Sequence, residues 1–258
     1  MENPNKARIL CWDCETSPLI TYTWKIWEAN AIEVIEDWQM LCFSWRWLGE
    51  KTIHVLGQDD FKGYKPGVNN DKKLIEALRQ LFDEADVIVA HNGNSFDQKK
   101  AQARMMIHGL PPPSPYKQID TKLVAKRYGA FTSNKLDDLG KDLSIGQKLE
   151  TGGFATWKGC LAGDPKAWAK MKRYNKQDVA LLEEVYLKLR PWMSNHPAIN
   201  LLNRDMNACP ICGKGPMTRQ GTKSAKTTTY QQWKCKSCNG WSRSRAADKV
   251  SERVAYVN

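Results

Sequence analysis

Short apolar runs rich in β-branched and aromatic residues dominate the first half of the chain, and helical spacing takes over in the second. Residues 8–13 make the first run. It breaks at Asp13-Cys14-Glu15 and meets Thr16-Ser17-Pro18, a strand stop. Met40 to Trp47 predicts a second strand, Gly49-Glu50-Lys51 a turn, and Thr52 to Leu56 a partner strand, so the start of the chain predicts a meander. Between them, Leu19 to Asp37 has no usable period. With Trp24 and Trp27 it predicts a covering segment or an insertion.

After a loop over 57–70, Leu74, Ile75, Leu78, Leu81 and Phe82 share one face of a helix opened by an Asp71 cap. Val87-Ile88-Val89-Ala90 predicts a strand buried on both faces. A helix follows from Phe96 to His108, closed by Gly109 and Pro111-Pro112-Pro113. Asp120 to Tyr128 and Lys135 to Leu143 predict two short helices, with Asp120 as a cap outside any site. Ser144 to Gly163 is polar and Gly-rich, a long loop of the kind that lies over active sites. Asp164-Pro165 opens the longest helix, running to about Leu189 and stopped by Pro191. Strands first, then helix–strand–helix, then helices: this order predicts an α/β domain with a mixed sheet flanked by helices.

Charge divides the chain. Its 258 residues carry a net +11, but residues 201–258 hold 11 Lys+Arg against 3 Asp+Glu, a net +8. A basic module on a nearly neutral larger domain is expected, with boundaries at 1–200 and 201–258, and polyanions, nucleic acid above all, as partners. No window is apolar enough to span a bilayer and no signal pattern opens the chain, so a cytoplasmic protein without membrane contact is expected.

Three carboxylate signals stand out. In a strand, Asp13 and Glu15 point the same way, and like charges buried together need a cation; hard oxygen donors suit Mg²⁺ or Mn²⁺. His91-Asn92-Gly93-Asn94-Ser95-Phe96-Asp97 follows the buried strand, with Phe96 expected as the packing anchor of Asp97. Tyr174 and Asp178 are i and i+4 on a stripe that continues as Leu181, Leu182, Val185 and Leu189. Each alone has an ordinary reading: a solvated strand end, a helix-start acid, a chance pair.

Together, Asp13-x-Glu15, Asn92-x-x-x-Phe96-Asp97 and Tyr174-x-x-x-Asp178 resemble, in order and spacing, the three motifs of the DEDD 3′→5′ exonuclease superfamily, which has the ribonuclease H-like fold. The third motif matches the tyrosine subtype, since Arg173 stands where the histidine subtype needs His. With Gly163-Asp164-Pro165, the likeness extends to stand-alone phage or bacterial members and covers roughly residues 8–192. It implies a two-metal phosphodiesterase. Asp13, Glu15 and Asp178 hold the metal that activates water, Asp13 with Asp97 holds the second, and Tyr174 orients the water. Asn92 and Phe96 belong to the nucleic-acid-contacting set. Single-stranded DNA is the first substrate expected, with DNA against RNA and single against double strands left open. The resemblance also admits a separate polymerase or other replication or repair protein as partner, in a bacterial or phage-infected cell. An exoribonuclease and a non-catalytic scaffold on the same fold are the alternatives.

Four of the eight cysteines make a second constellation, Cys209-x-x-Cys212 and Cys235-x-x-Cys238, which resembles a zinc ribbon holding one structural Zn²⁺. Disulfides are set aside because nothing marks the chain for secretion. Thr227 to Trp233 predicts a strand between the knuckles. Lys214, Arg219, Lys223, Lys226, Lys234, Lys236, Arg243 and Arg245, interleaved with Tyr230, Trp233 and Trp241, predict a nucleic-acid grip, with Trp233 in the ribbon core. A solvated basic surface and protein docking are the other readings. Cys11-x-x-Cys14 cannot be a knuckle, because strand residues three apart face opposite ways; with Cys42 and Cys160 these are expected as small buried residues.

Overall fold

The central strand, β1 (Ile9–Thr16), is followed by a short pair, β2 (Ile20–Tyr22) and β3 (Glu33–Glu36), and then by β4 (Met40–Trp47) and β5 (His54–Gly57). Next come α1 (Lys72–Glu84), β6 (Val87–Ala90), α2 (Asp97–Ile107), β7 (Lys117–Asp120), α3 (Thr121–Tyr128), α4 (Leu136–Asp142), α5 (Phe154–Leu161) and α6 (Pro165–Leu189). The C-terminal part holds α7 (Ile199–Leu202), β8 (Met217–Ser224), β9 (Thr228–Cys235), β10 (Trp241–Arg243) and β11 (Lys249–Val250). This computed structural model describes residues 6–27, 30–147 and 152–250. Two compact units are present, one from Arg8 to Tyr186 and the other from Leu187 onward with the N-terminal residues.

In the larger unit five strands order as β5-β4-β1-β6-β7. The β1–β4 and β4–β5 pairs are antiparallel, while β1–β6 and β6–β7 are parallel, so the sheet is mixed as the order of elements predicts. Alternation splits β1 into two faces. Leu10, Trp12 and Cys14 enter a core with Phe43, Leu74, Leu78, Phe82, Ala101 and Met105, drawn from β4, α1 and α2. Trp12 meets Phe82 edge-on at 5.0 Å. Full burial of a side chain of this size contributes about 1.5–3 kcal/mol. The other face carries Asp13 and Glu15 and is covered by α6, whose Trp168 and Met171 pack with Leu41 and Cys42. The stripe Leu181, Leu182, Val185 and Leu189 is buried as its period predicts.

Several elements differ from expectation. Within the stretch 19–37, for which no element was expected, β2 and β3 pair antiparallel. Strand β7 was not expected, because two of its four residues, Lys117 and Gln118, are exposed. Within the expected loop over 144–163, α5 forms from residue 154, and residues 148–151 lie outside the described ones. Asp71 sits at the N-cap of α1, but its side chain makes no cap bond. Instead it is fully buried against Arg104, His108 and the amide of Met40, because a buried guanidinium needs its carboxylate more than a helix start does. Asp120 does cap α3, accepting from the amides of Lys122 and Leu123.

Candidate active site and metal centres

Two residues apart on β1, Asp13 lies across from Ser44 and Glu15 across from Cys42, and the register slips between Glu15 and Thr16. Such a bulge bends the strand at the point where it carries its second acid. From α6, Asp178 enters the same face at 2% exposure. One oxygen from each of Asp13, Glu15 and Asp178 lies within 4.8 Å of the others. Two unit charges 4 Å apart repel by about 4 kcal/mol at an effective dielectric of about 20, so three carboxylates at this range call for a cation. The donors are all hard oxygens, which fits Mg²⁺ or Mn²⁺.

Asn175, fully buried on the same helix, donates its Nδ2 to Asp13 Oδ2 at 2.7 Å. That bond fixes one oxygen of Asp13. The Oδ1 of Asn175 and the Ser44 hydroxyl are buried without hydrogen-bond partners among the described residues, polar atoms facing an acid cluster. Tyr174 is half-buried one helical turn before Asp178.

Asp97 stands apart from this trio. It opens α2 at 4% exposure, and its Oδ1 accepts the Cys14 thiol at 3.3 Å. Cys14 packs in the core with α1 and α2, so Asp97 meets β1 through the residue between its two acids. Burial first of all pushes the Asp97 carboxyl up to about 6, and the same cause raises the Cys14 thiol well above its usual range. Cys11, Cys14, Cys42 and Cys160 are buried as expected, but Cys14 is also a donor to an acid.

Phe96 is no packing anchor: 42% exposed, it lies beside Lys100, whose ammonium sits 5.4 Å from its ring and 3.6 Å from that of Trp38. Asn92 has a φ of 66°, a left-handed conformation that Asn tolerates. Asp120 fixes this turn by accepting from the amides of Asn92 and Asn94 at 2.9 and 3.1 Å.

In the smaller unit the four knuckle sulfurs converge. Cys209 to Cys238 is 3.8 Å and Cys212 to Cys235 is 3.7 Å. A tetrahedron with Zn–S of about 2.3 Å has edges of about 3.8 Å, so the cluster fits zinc. The spacing is far too long for a disulfide. Packed sulfurs cannot all ionise unaided: a bond from Cys209 holds Cys212 far down, while Cys238 is pushed up, first by its own bond to Cys209. After Cys212 the chain turns at Gly213 with φ +69°, and a Cβ there would lie 2.5 Å from Asn203 Nδ2.

The register of β8, β9 and β10 sets Lys223, Tyr230, Gln232, Lys234, Trp241 and Arg243 on one face. The Arg243 guanidinium lies 3.8 Å over the Tyr230 ring. Trp241 is 50% exposed and borders a groove of about 350 Å³ with His196, Lys223 and Arg243. Burial brings His196 down to about 4. Lys214, Arg219, Lys226, Lys236 and Arg245 are exposed, Arg219 being engaged with Gln231. Trp233, expected in the ribbon core, is half-buried and outside the small apolar cluster built on Cys209, Ile211 and Cys235.

A family profile for the RNase H superfamily matches residues 49–190, more than half of the chain. The chain belongs to the RNase H superfamily. It is also 27% identical over 132 residues, 49% of its length, to "DNA polymerase III PolC-type" of Ureaplasma parvum, of which it spans only 9%. Among solved structures it resembles the family B DNA polymerase of the archaeon Pyrobaculum calidifontis, with a TM-score of 0.55 and 15% identity over 86% of this chain and 31% of that one. That likeness concerns the fold. RNase H superfamily membership supports a nuclease acting on nucleic acid, and such nucleases are generally divalent-metal dependent. The matched span contains Asp97, Tyr174 and Asp178 and begins after Asp13 and Glu15, so the strand acids join the site through geometry. No helix among the described residues is long and apolar enough to cross a membrane.

Two residues of the site carry no carboxylate signal and were missed. Asn175 stands three residues before Asp178 on the inward stripe, and a polar residue there was the clue. Cys14 was hidden by its usual role as a small apolar filler.

Proposed function

We propose that this chain is a 3′→5′ exonuclease of the DEDD superfamily, tyrosine subtype, hydrolysing phosphodiester bonds at 3′ ends of single-stranded DNA. The observation that carries the reading is the convergence of Asp13, Glu15 and Asp178 within 4.8 Å, from a strand and a helix far apart in sequence. When bound, hard divalent cations supply positive charge against the phosphodiester and lower the pKa of the attacking water. Asp13, Glu15 and Asp178 would hold one such ion, and Asp13 with Asp97 would hold the second. Asn175 keeps Asp13 in its ligating orientation. Tyr174, on the same face as Asp178, orients the water with its phenol. Asn92 and the exposed ring of Phe96 flank the entry of the strand end.

In this reading residues 1–200 form the nuclease domain and 201–258 a zinc ribbon with one structural Zn²⁺, supported by the sulfur spacings. The ribbon grips nucleic acid: cations on its strand face meet phosphates and the Trp241 ring takes a base. A separate DNA polymerase is the second proposed partner, supported by the likeness to the bacterial DNA polymerase.

The test is a panel of end-labelled single- and double-stranded DNA and RNA with Mg²⁺, Mn²⁺ or EDTA, run beside Asp178→Ala. Stepwise shortening from the 3′ end of single-stranded DNA, abolished by EDTA and by Asp178→Ala, is the expected result. Shortening from 5′ ends, or activity surviving EDTA, overturns it; preference for RNA redirects it to an exoribonuclease.

A further inference from the structure

The β2–β3 hairpin leaves the sheet immediately after the Glu15–Thr16 bulge and returns at Met40. Its root is fixed. The Ser17 amide donates to the Gln39 carbonyl and the Gln39 amide to the Ser17 hydroxyl, both at 2.9 Å. Gln58 donates to Gln39 Oε1 and to the Met40 carbonyl at 2.7 Å, and Asp71 takes the Met40 amide at 2.8 Å. Ser17, Gln39, Gln58 and Asp71 are all buried. Beyond this buried polar clamp the arm is bare: Trp24, Ile26 and Trp27 are 82%, 91% and 95% exposed, and Ile32, Val34 and Ile35 about half exposed. Exposed apolar side chains of this extent mark an interaction surface.

Its chemistry narrows the occupant. The described residues from 17 to 39 carry Glu33, Glu36 and Asp37 against Lys25, a net −2 on a chain whose total is +11. Phosphates are repelled there, and the aliphatic Ile26, Ile32, Val34 and Ile35 have no use in stacking bases. A second copy of the arm would set acids against acids. Among the described residues strand β2 pairs with β3 alone, in a two-stranded sheet of three and four residues. Such a ribbon is marginal in water and is completed by a further strand. We propose that the β2–β3 arm docks a partner protein through an extended apolar segment flanked by Lys or Arg, added to this sheet as a third strand. The segment's basic residues meet Glu33, Glu36 and Asp37, and its apolar side chains cover Trp24, Ile26 and Trp27.

The inference stands apart from the nuclease reading, and so does its test, which reads binding and not hydrolysis. The full chain carries 5-fluorotryptophan, with the Trp24 and Trp27 signals assigned through Trp24→Phe and Trp27→Phe. The probe is a short synthetic peptide alternating valine and lysine, compared with one alternating valine and glutamate. Saturable shifts at Trp24 and Trp27 with the lysine peptide only, weakened about tenfold or more by Ile26→Asp, are expected. Equal response to both peptides, or response to neither, overturns the proposal. A single-stranded oligonucleotide shifting the same two signals overturns it in favour of a base-stacking platform. Self-association in sedimentation, lost in Ile26→Asp, overturns it in favour of a second copy. Ile26 is almost fully exposed, so the substitution leaves the fold intact.

Discussion

The orientation of Asp13 depends on a neutral side chain. Without the Nδ2 of Asn175 its carboxylate loses a bond to one of its oxygens, while every charge of the cluster stays in place. Asn175→Ala should lower kcat by about a hundredfold, as expected of a misplaced ligating group, with KM little changed. The Mg²⁺ concentration for half-maximal activity should rise as well; steady-state kinetics across a Mg²⁺ titration reads both. The buried acid Asp97 makes a second, pH-dependent prediction. Its folded carboxyl is pushed up to about 6 by burial, so the folded state binds the proton more tightly than the unfolded one. In metal-free protein this group's contribution is fully favourable below about pH 4 and is lost as pH rises through about 6. Asp97→Asn should therefore stabilise metal-free protein at pH 8 by on the order of 2–3 kcal/mol, the gap closing below about pH 4. Urea unfolding in EDTA at both pH values is the measurement. Alternation on β1 and the i, i+4 pair on α6 made Asp13, Glu15, Tyr174 and Asp178 legible as candidates. The partnership of Cys14 with Asp97 was not, because no spacing rule joins a strand thiol to an acid 83 residues away.

Helix α6 and strand β1 were readable because each has one dominant period and a clear stop. Strand β7 was not, since an edge strand with Lys117 and Gln118 in solvent has no alternation to detect. The hairpin β2–β3 failed for the opposite reason: its apolar residues are exposed, so no buried face imposes a pattern on them. The clamp at the hairpin's root rests on Asp71, which Arg104 reaches at 2.6 Å and His108 at 2.6 Å. Asp71→Ala should cost about 3–5 kcal/mol, because it strands a buried guanidinium. Arg104→Met should cost less, since Asp71 keeps His108 and the Met40 amide. Urea unfolding of the two variants checks the order; a larger loss for Arg104→Met would mean that the clamp is held by packing and not by charge.

At the scale of the whole molecule, charge and metal are unevenly shared. Metal analysis should find one zinc per chain, lost in Cys235→Ser. Structural zinc of this kind contributes on the order of 10–16 kcal/mol, so Cys235→Ser should unfold the smaller unit while the melting of the larger one persists. Calorimetry distinguishes one lost transition from two. A chain ending at Met193 should keep metal-dependent hydrolysis and bind single-stranded oligonucleotides more weakly. Each lost phosphate contact should remove about 0.7 from the slope of log affinity against log salt. An unchanged slope would make the basic strand face a solvated surface. The three converging carboxylates also have a consequence for the timing of synthesis. Glu15 and Asp178 are 163 residues apart, and the helix that brings the last acid is the final element of its unit. Domains fold from the N-terminus as the chain emerges, so β1 can pair with β4 and β6 long before α6 exists. Until then the two strand acids have no third ligand. Under the proposed mechanism, a chain that stops before α6 would lack the third carboxylate and should not cleave nucleic acid, and competence would arrive when α6 docks.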